Sequence, residues 1–243
     1  MKIRNPKSRF DLRIKGGDFV LDIGGGDNPH PRANVVVDKF LFDNTHRSHS
    51  LRLLKRQNLI VADGEKLPFK DNVFDYVVCS HTIEHVAKPF KFLKELSRVG
   101  KRGYIETPSL IGEYLIPKKA HRWVTLELNK RLVLMEKQAI DLTPSIDFGD
   151  LLQKHLAPNS LEFQILMRTY PDLFTVRYEW AEQIDFVVNP QNPELRSLFT
   201  TSWTKEEIAT IFNVRRSRGA QVLSFLEGLA SIISDFMRRR FLF

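Results

Sequence analysis

The sequence predicts a doubly wound α/β sheet that carries an inserted β-hairpin and a helical C-terminal extension. Three observations lead there. Short runs apolar on both faces recur through the first 190 residues, each bounded by Gly, Asp or Pro, as buried parallel strands are. A helical apolar period lies between two of these runs. From about residue 109 the pattern turns to apolar–polar alternation, and beyond residue 190 to capped helices.

The first run, Phe19-Val20-Leu21-Asp22-Ile23, ends in three glycines. Val35-Val36-Val37 precedes Asp38, and Leu59-Ile60-Val61 precedes Asp63-Gly64. Tyr76-Val77-Val78-Cys79 follows the turn-like Lys70-Asp71-Asn72, and Gly103-Tyr104-Ile105-Glu106-Thr107 stops at Pro108. Between these last two, Pro89 suits a helix's first turn. Phe92, Leu93, Leu96 and Val99 form that helix's apolar face, and Gly100 can end it. Alternation on either side of Asn129-Lys130 predicts a hairpin from Trp123–Leu128 and Arg131–Glu136. A helix around 160–168 follows, capped by Asn159 or Ser160. Phe174–Trp180 and Ile184–Val188 read as a terminal antiparallel pair. Asn189-Pro190-Gln191-Asn192-Pro193 then marks a boundary. The domains predicted are therefore 1–190, with a substrate-side insert at 109–150, and a helical extension at 191–243. In the extension, Thr204 to Glu207 forms a capping box, and about 220–243 reads as one amphipathic helix.

The chain has 243 residues, 37 Lys+Arg and 29 Asp+Glu, a formal charge of +8. Residues 1–15 contribute +5 and residues 215–243 contribute +4, so the body between them is near neutral. That distribution argues against nucleic acid held across the body of the protein. Cys79 is the single cysteine, which excludes an internal disulfide and an all-cysteine zinc site. The N-terminus lacks the apolar stretch of a secretory signal, and no apolar run reaches ~18 residues. The expected location is the cytoplasm, at a membrane surface if the C-terminal helix docks there.

The chemistry concentrates where strands end. In Asp22-Ile23-Gly24-Gly25-Gly26-Asp27-Asn28, glycines at a strand's carboxyl end allow close backbone approach to a ligand; the same cluster would also serve a plain tight turn. Asp38, ending the second strand, can take both hydroxyls of a ribose. Asp63, ending the third, can accept from an adenine amino group.

These segments resemble the class I S-adenosylmethionine-dependent methyltransferases, especially the type 11 methyltransferase-domain family. The resemblance rests on VLDIGGGDNP (20–29), VVVD (35–38), VADGEKLPF (61–69), FDYVVCSHTIEHV (74–86) and LKELSRVGKRGYIETPS (93–109), and covers about residues 16–110. It implies a Rossmann-like, mostly parallel seven-stranded sheet with an antiparallel terminal strand, and S-adenosyl-L-methionine as cofactor. Asp22, Gly24, Gly25, Gly26 and Asn28 would surround its methionine end and Asp38 its ribose. Asp63, Gly64 and Glu65 would serve the adenine, and Ser80 with His81 would border the methyl group. The family's third glycine is replaced by Asn28. The 15 residues between Asp22 and Asp38 leave room only for an irregular loop between the first two strands. A nicotinamide enzyme would need a glycine at Pro29.

Methylation of a hydroxyl requires removal of a proton, which histidine suits. His81 is the first catalytic candidate and His121, on the insert, the second. His85 is either functional or simply hydrogen-bonded at the start of a helix. Some RNA 2′-O-methyltransferases and ubiquinone-pathway O-methyltransferases carry Glu-x-x-Glu-His at this point, where the carboxylates and histidine bind a metal. Here the segment is His81-x-x-Glu84-His85, which His121 would complete. No metal is assigned on this basis.

Tyr114, Lys118, Lys119, His121, Arg122 and Trp123 either select the acceptor or form a solvated loop anchored by the tryptophan. The C-terminal apolar stripe beside arginines fits a membrane interface, the core or a dimer. The function expected is S-adenosylmethionine-dependent O-methylation of a small-molecule, sugar or glycan-lipid acceptor. The alternatives are a metal-assisted RNA 2′-O-methyltransferase and a non-catalytic cofactor-binding scaffold recruited to membranes.

Overall fold

In a computed structural model, residues 1–43, 49–142, 149, 151–212 and 217–241 are described. The strands are β1 (Lys2–Arg4), β2 (Val20–Ile23), β3 (Val35–Asp38), β4 (Asn58–Val61), β5 (Tyr76–Ser80), β6 (Arg102–Pro108), β7 (Trp123–Leu128), β8 (Arg131–Glu136), β9 (Thr175–Ala181) and β10 (Phe186–Val188). The helices are α1 (Pro89–Val99), α2 (Leu110–Leu115), the short α3 (Ala157–Asn159), α4 (Leu161–Thr169), α5 (Pro171–Phe174), α6 (Pro193–Thr200), α7 (Lys205–Ile211) and α8 (Arg218–Phe241).

Seven strands form the main sheet in the order β1-β9-β6-β5-β2-β3-β4. β2 to β6 are parallel, with Asp22 between Val36 and Val78, and β9 runs antiparallel to β6. The expected α/β sheet with its antiparallel strand is therefore present, and the loop from 24 to 34 holds turns without a helix. One expectation is corrected. Ile184–Val188 does not pair antiparallel with Phe174–Trp180. Instead β10 leaves the sheet and pairs parallel with β8. Glu182, at φ +63°, turns the chain after β9, and Phe186 and Val188 pack on the main core from their new position. The vacated edge is taken by β1, antiparallel to β9.

The hairpin turns through Asn129 and Lys130, both at positive φ, as a two-residue turn matched to strand twist requires. Its two faces serve different cores. Trp123, Leu132 and Leu134 join the main cluster with β2, β5, β9 and α1. Val124, Leu126, Val133 and Met135 form a second cluster with Leu198 and Phe199 of α6. α6 is capped by the Asn192 side chain, and α7 begins with the expected Thr204–Glu207 capping box. Burying Leu198 and Phe199 stabilises this docking by ~1.5–3 kcal/mol per side chain.

α8 lies along α4, where Gly228 faces the Arg168 and Thr169 side chains. It leaves Val222, Leu223, Phe225, Leu226, Ile233 and Met237 exposed. Among the described residues no helix is long and apolar enough to cross a membrane.

Candidate functional site

The carboxyl ends of β2, β3, β4 and β5 enclose a cavity of about 240 Å³. Parallel strands that all end on one side make this edge the natural ligand crevice. Gly24, Gly26, Asp38, Asp63, Gly64, Glu65 and His81 lie in its wall, with Ile23 and Phe92 supplying apolar surface.

Two of these glycines are sterically required. Gly24 has φ +69°, and a Cβ there would stand 2.2 Å from Thr82 Oγ1. At Gly64 a Cβ would meet the Phe92 ring at 2.4 Å. Gly24 N–H donates to Val37 O at 2.7 Å, tying the turn to β3. Thr82 Oγ1 lies 3.2 Å from the carbonyls of Ile23 and Ser80, so this residue, which no sequence motif singled out, spans two strand ends.

Asp22, Gly25, Asn28 and Ser80 stand behind the wall. Asp22 is buried, and its Oδ2 accepts the His30 N–H at 2.6 Å, which holds the 24–30 loop in shape. Burial raises its pKa, against opposing contributions from Arg9 and that hydrogen bond. A Cβ on Gly25 would face Val36, Asp22 and Pro29. Asn28 N–H donates to Gly25 O, and its carbonyl accepts from Arg9 Nη2 at 2.8 Å. The Ser80 hydroxyl is buried without a hydrogen-bond partner among the described residues.

Asp38 Oδ1 accepts the Phe40 N–H. Asp63 Oδ1 accepts the Glu65 N–H at 2.9 Å, while Oδ2 accepts Lys39 Nζ at 2.7 Å. Burial works against ionisation of Asp63, but the Lys39 and Glu65 hydrogen bonds prevail and lower its pKa. Glu65 Oε1 accepts the Lys88 N–H, which positions the start of α1. An apolar floor, two carboxylates at the ends of adjacent strands and glycines allowing close approach suit an adenosine with a charged tail.

His81 sits at the rim in a left-handed conformation, φ +53°, uncommon for a non-glycine residue and characteristic of functional sites. Its Nδ1 is 3.4 Å from Glu84 Oε1 and its Nε2 is 3.2 Å from Glu106 Oε1. Partial desolvation of the half-exposed ring opposes protonation, yet hydrogen bonds and charge from Glu106 and Glu84 raise its pKa to about 10. The imidazole is therefore a cation at neutral pH, held between two carboxylates. Glu106 is kept ionised by His81 in spite of its burial.

The insert is fastened to the turn after β5. Arg122 N–H donates to Glu84 O, and Trp123 Nε1 donates to Val86 O. Trp123 thus anchors the hairpin, while Tyr114 is exposed. His121 Nδ1 lies 2.6 Å from Glu113 Oε2, and Lys137 Nζ donates to the other Glu113 oxygen at 2.6 Å. His121 does not line the cavity. Its ring packs edge-on against His85, which does, at 4.8 Å. Of the four residues aligned in sequence for a metal, Glu84, His85 and His121 bring one ligand atom each within 4.8 Å of one another and could hold an ion. His81, held between Glu84 and Glu106, is not among them.

His30 underlies the loop. Its Nε2 donates to Arg9 O at 2.9 Å, and its Nδ1 accepts the Arg32 N–H. Burial, then the nearby Arg9 charge, lowers its pKa to about 4. Since the unfolded value is ~6.5, the unfolded chain binds the extra proton between these limits. The contribution is complete above ~6.5 and lost as pH falls toward the folded pKa. Chemical denaturation at about pH 7 and about pH 5 is expected to show a loss of about 2 kcal/mol from this group, absent in His30→Gln. An equal loss in the variant would refute the assignment.

A family model described as a methyltransferase domain, type 11, matches residues 39–105. An uncharacterized protein of Methanocaldococcus jannaschii is 30% identical over 143 residues, 56% of this chain and 66% of that protein. The ubiquinone/menaquinone biosynthesis C-methyltransferase UbiE of Rickettsia typhi is 33% identical over 107 residues, 42% of this chain and 43% of that protein. The matches thus span less than two thirds of either relative. A SAM dependent methyltransferase from Aquifex aeolicus superposes with a TM-score of 0.30 at 22% identity, over 40% of this chain and 59% of that one. The matched segment runs from the residue after Asp38 to the middle of β6 and so includes most of the cavity wall. Over the segment that holds most of the cavity wall, the chain is similar to the class I S-adenosylmethionine-dependent methyltransferases.

Proposed function

We propose that the chain is an S-adenosylmethionine-dependent methyltransferase acting on the oxygen of a small-molecule, sugar or glycan-lipid acceptor. The observation that carries this reading is the His81–Glu106 pair at the rim of a cavity suited to the cofactor. When bound, S-adenosylmethionine supplies a methyl group on a sulfonium, an already activated carbon. Asp38 would hold the ribose hydroxyls, Asp63 with the Gly64 backbone the adenine edge, and the Gly24–Gly26 turn the methionine end. Asp22, Gly25 and Asn28 would shape that turn from behind.

What remains for the protein is alignment and a destination for the hydroxyl proton. The ionised Glu106 is the group able to accept it, and the protonated His81 holds that carboxylate in place. Glu113 orients His121 through Nδ1, and His121 acts behind His85. The exposed apolar residues of α8 support docking of 215–243 on a membrane surface, which would bring a lipid-borne acceptor near.

Calorimetry with S-adenosylhomocysteine is expected to show binding, and its failure would overturn the cofactor assignment. His81→Gln is expected to lower methyl transfer from labelled cofactor into fractionated extract by ~100-fold, with a far smaller change in S-adenosylhomocysteine affinity. Undiminished transfer would remove His81 from the mechanism. A second reading, metal-assisted methylation of RNA, rests on the proximity of Glu84, His85 and His121. Label entering RNA and lost on chelation would favour it. Cofactor binding without transfer would favour the scaffold.

A further inference from the structure

Beside the cofactor cavity runs a larger groove of about 940 Å³, between the N-terminal segment, α5 with the start of β9, and α8. The two spaces meet at one pair of side chains. His81 lines the first and Glu106 lines the second, and they are 3.2 Å apart. The groove therefore ends where an acceptor hydroxyl would have to arrive.

Arg9 and Arg177 line this groove. Each guanidinium is anchored through its terminal nitrogens: Arg9 Nη2 to Asn28 O at 2.8 Å, and Arg177 to Asp172 Oδ1 at 2.6 Å and to Lys7 O. In both, Nε is buried with no acceptor among the described residues. A buried donor left unmet is costly, and both of these belong to arginines that border the same groove. The groove's carboxylates are already matched. Asp11 pairs with Arg4, Glu227 with Lys7 and Asp172 with Arg177, while Glu106 faces His81 and accepts from Tyr104. The lining holds as many cations as carboxylates, but Arg9 has no carboxylate within ion-pair distance among the described residues, so its cation is the one left to a ligand in the groove. Oriented guanidinium forks match phosphate oxygens better than any other side chain does.

Building on the methyltransferase reading, we propose that this groove is the acceptor subsite, and that Arg9 and Arg177 take the oxygens of a phosphate ester on a hydroxyl-bearing acceptor. The phosphate sets the acceptor's register along the groove and directs a hydroxyl to the His81–Glu106 end. Ser231 and Ser234 of α8 add hydroxyls to the wall, in keeping with a polar occupant.

The test uses the full chain with S-adenosylhomocysteine bound, titrated calorimetrically with inorganic phosphate, glucose 6-phosphate and glucose at matched ionic strength. Phosphate and glucose 6-phosphate are expected to bind. Arg9→Gln and Arg177→Gln should each reduce the preference for glucose 6-phosphate over glucose by ~10-fold or more, with Arg177→Lys intermediate. A general structural defect would weaken both sugars alike. If Arg177→Gln does not fold, Arg9→Gln decides alone. Failure of S-adenosylhomocysteine to bind would overturn the methyltransferase reading itself. If it binds but phosphate and glucose 6-phosphate do not, or if Arg9→Gln keeps the full preference, the subsite is refuted. Vesicles of phosphatidylcholine with and without phosphatidylinositol 4-phosphate separate the two sources of the ester. Sedimentation only with the phosphoinositide, reversed by inorganic phosphate, assigns a lipid headgroup. Glucose 6-phosphate binding without sedimentation assigns a soluble ester.

Discussion

Gly24→Ala is expected to weaken S-adenosylhomocysteine binding by at least ~10-fold, because a left-handed backbone at a residue with a Cβ costs ~1–2 kcal/mol. The strain is only part of the effect. At φ +69° the new methyl would stand 2.2 Å from Thr82 Oγ1 and 2.7 Å from Thr82 Cγ2. Thr82 lies beside the carbonyls of Ile23 and Ser80, so its displacement disturbs the ends of β2 and β5 together. Either the turn shifts into the cavity or Thr82 moves and carries the His81 rim with it. Titration of the folded variant, with far-ultraviolet circular dichroism confirming the sheet, reads the effect. An affinity within about twofold of the parent chain would be too small for the strain alone and would separate the glycine turn from cofactor binding.

Glu179→Ala is expected to remove ~3–5 kcal/mol of stability, the range for breaking a buried hydrogen-bonded charge pair. Glu179 lies on β9 at 1% exposure. It accepts from the buried Tyr76 hydroxyl at 2.6 Å, from Arg4 Nε at 2.6 Å and from Arg13 N–H at 3.1 Å. One carboxylate therefore ties the central strand β5 to β1 and to the segment that carries Arg9. Removing it leaves the Tyr76 donor without this acceptor inside the sheet and leaves Arg4 paired with Asp11 alone. The melting temperature should fall by ~10 °C, with Glu179→Gln milder because its amide oxygen still accepts. A fall of less than ~3 °C in the alanine variant would show that β1 is held by its backbone pairing rather than by this residue.

The elements differed in how far local pattern revealed them. Asp38 and Asp63 end short apolar runs, and both reach the cavity because parallel strands share one carboxyl edge. The Asn129-Lys130 turn and the Thr204–Glu207 cap were legible because their chemistry acts within a few residues. β1 was not legible. Its three residues, Lys2-Ile3-Arg4, carry no strand pattern and gain their place from Glu179 and the open edge of β9. The partner of β10 escaped for a similar reason, since its alternation fits either sheet and the turn at Glu182 decides between them.

In the site, sequence order identified His81, His121 and the glycine turn, while Lys39, Thr82, Glu113 and Arg9 emerged only from their neighbours. Each of these last four matters through a partner distant along the chain: Asp63, the Ile23 carbonyl, His121 through the insert's fold, and Asn28. By itself the sequence determined the alternating α/β architecture, the carboxylates at the strand ends and the family resemblance, because periodicity and short motifs are written in consecutive residues. The tertiary structure alone decided that His81 stands protonated between Glu84 and Glu106, that His121 stands behind His85, and that two basic residues far apart in sequence line one groove. Burial and charge proximity set those properties, and both depend on which distant segments the fold brings together.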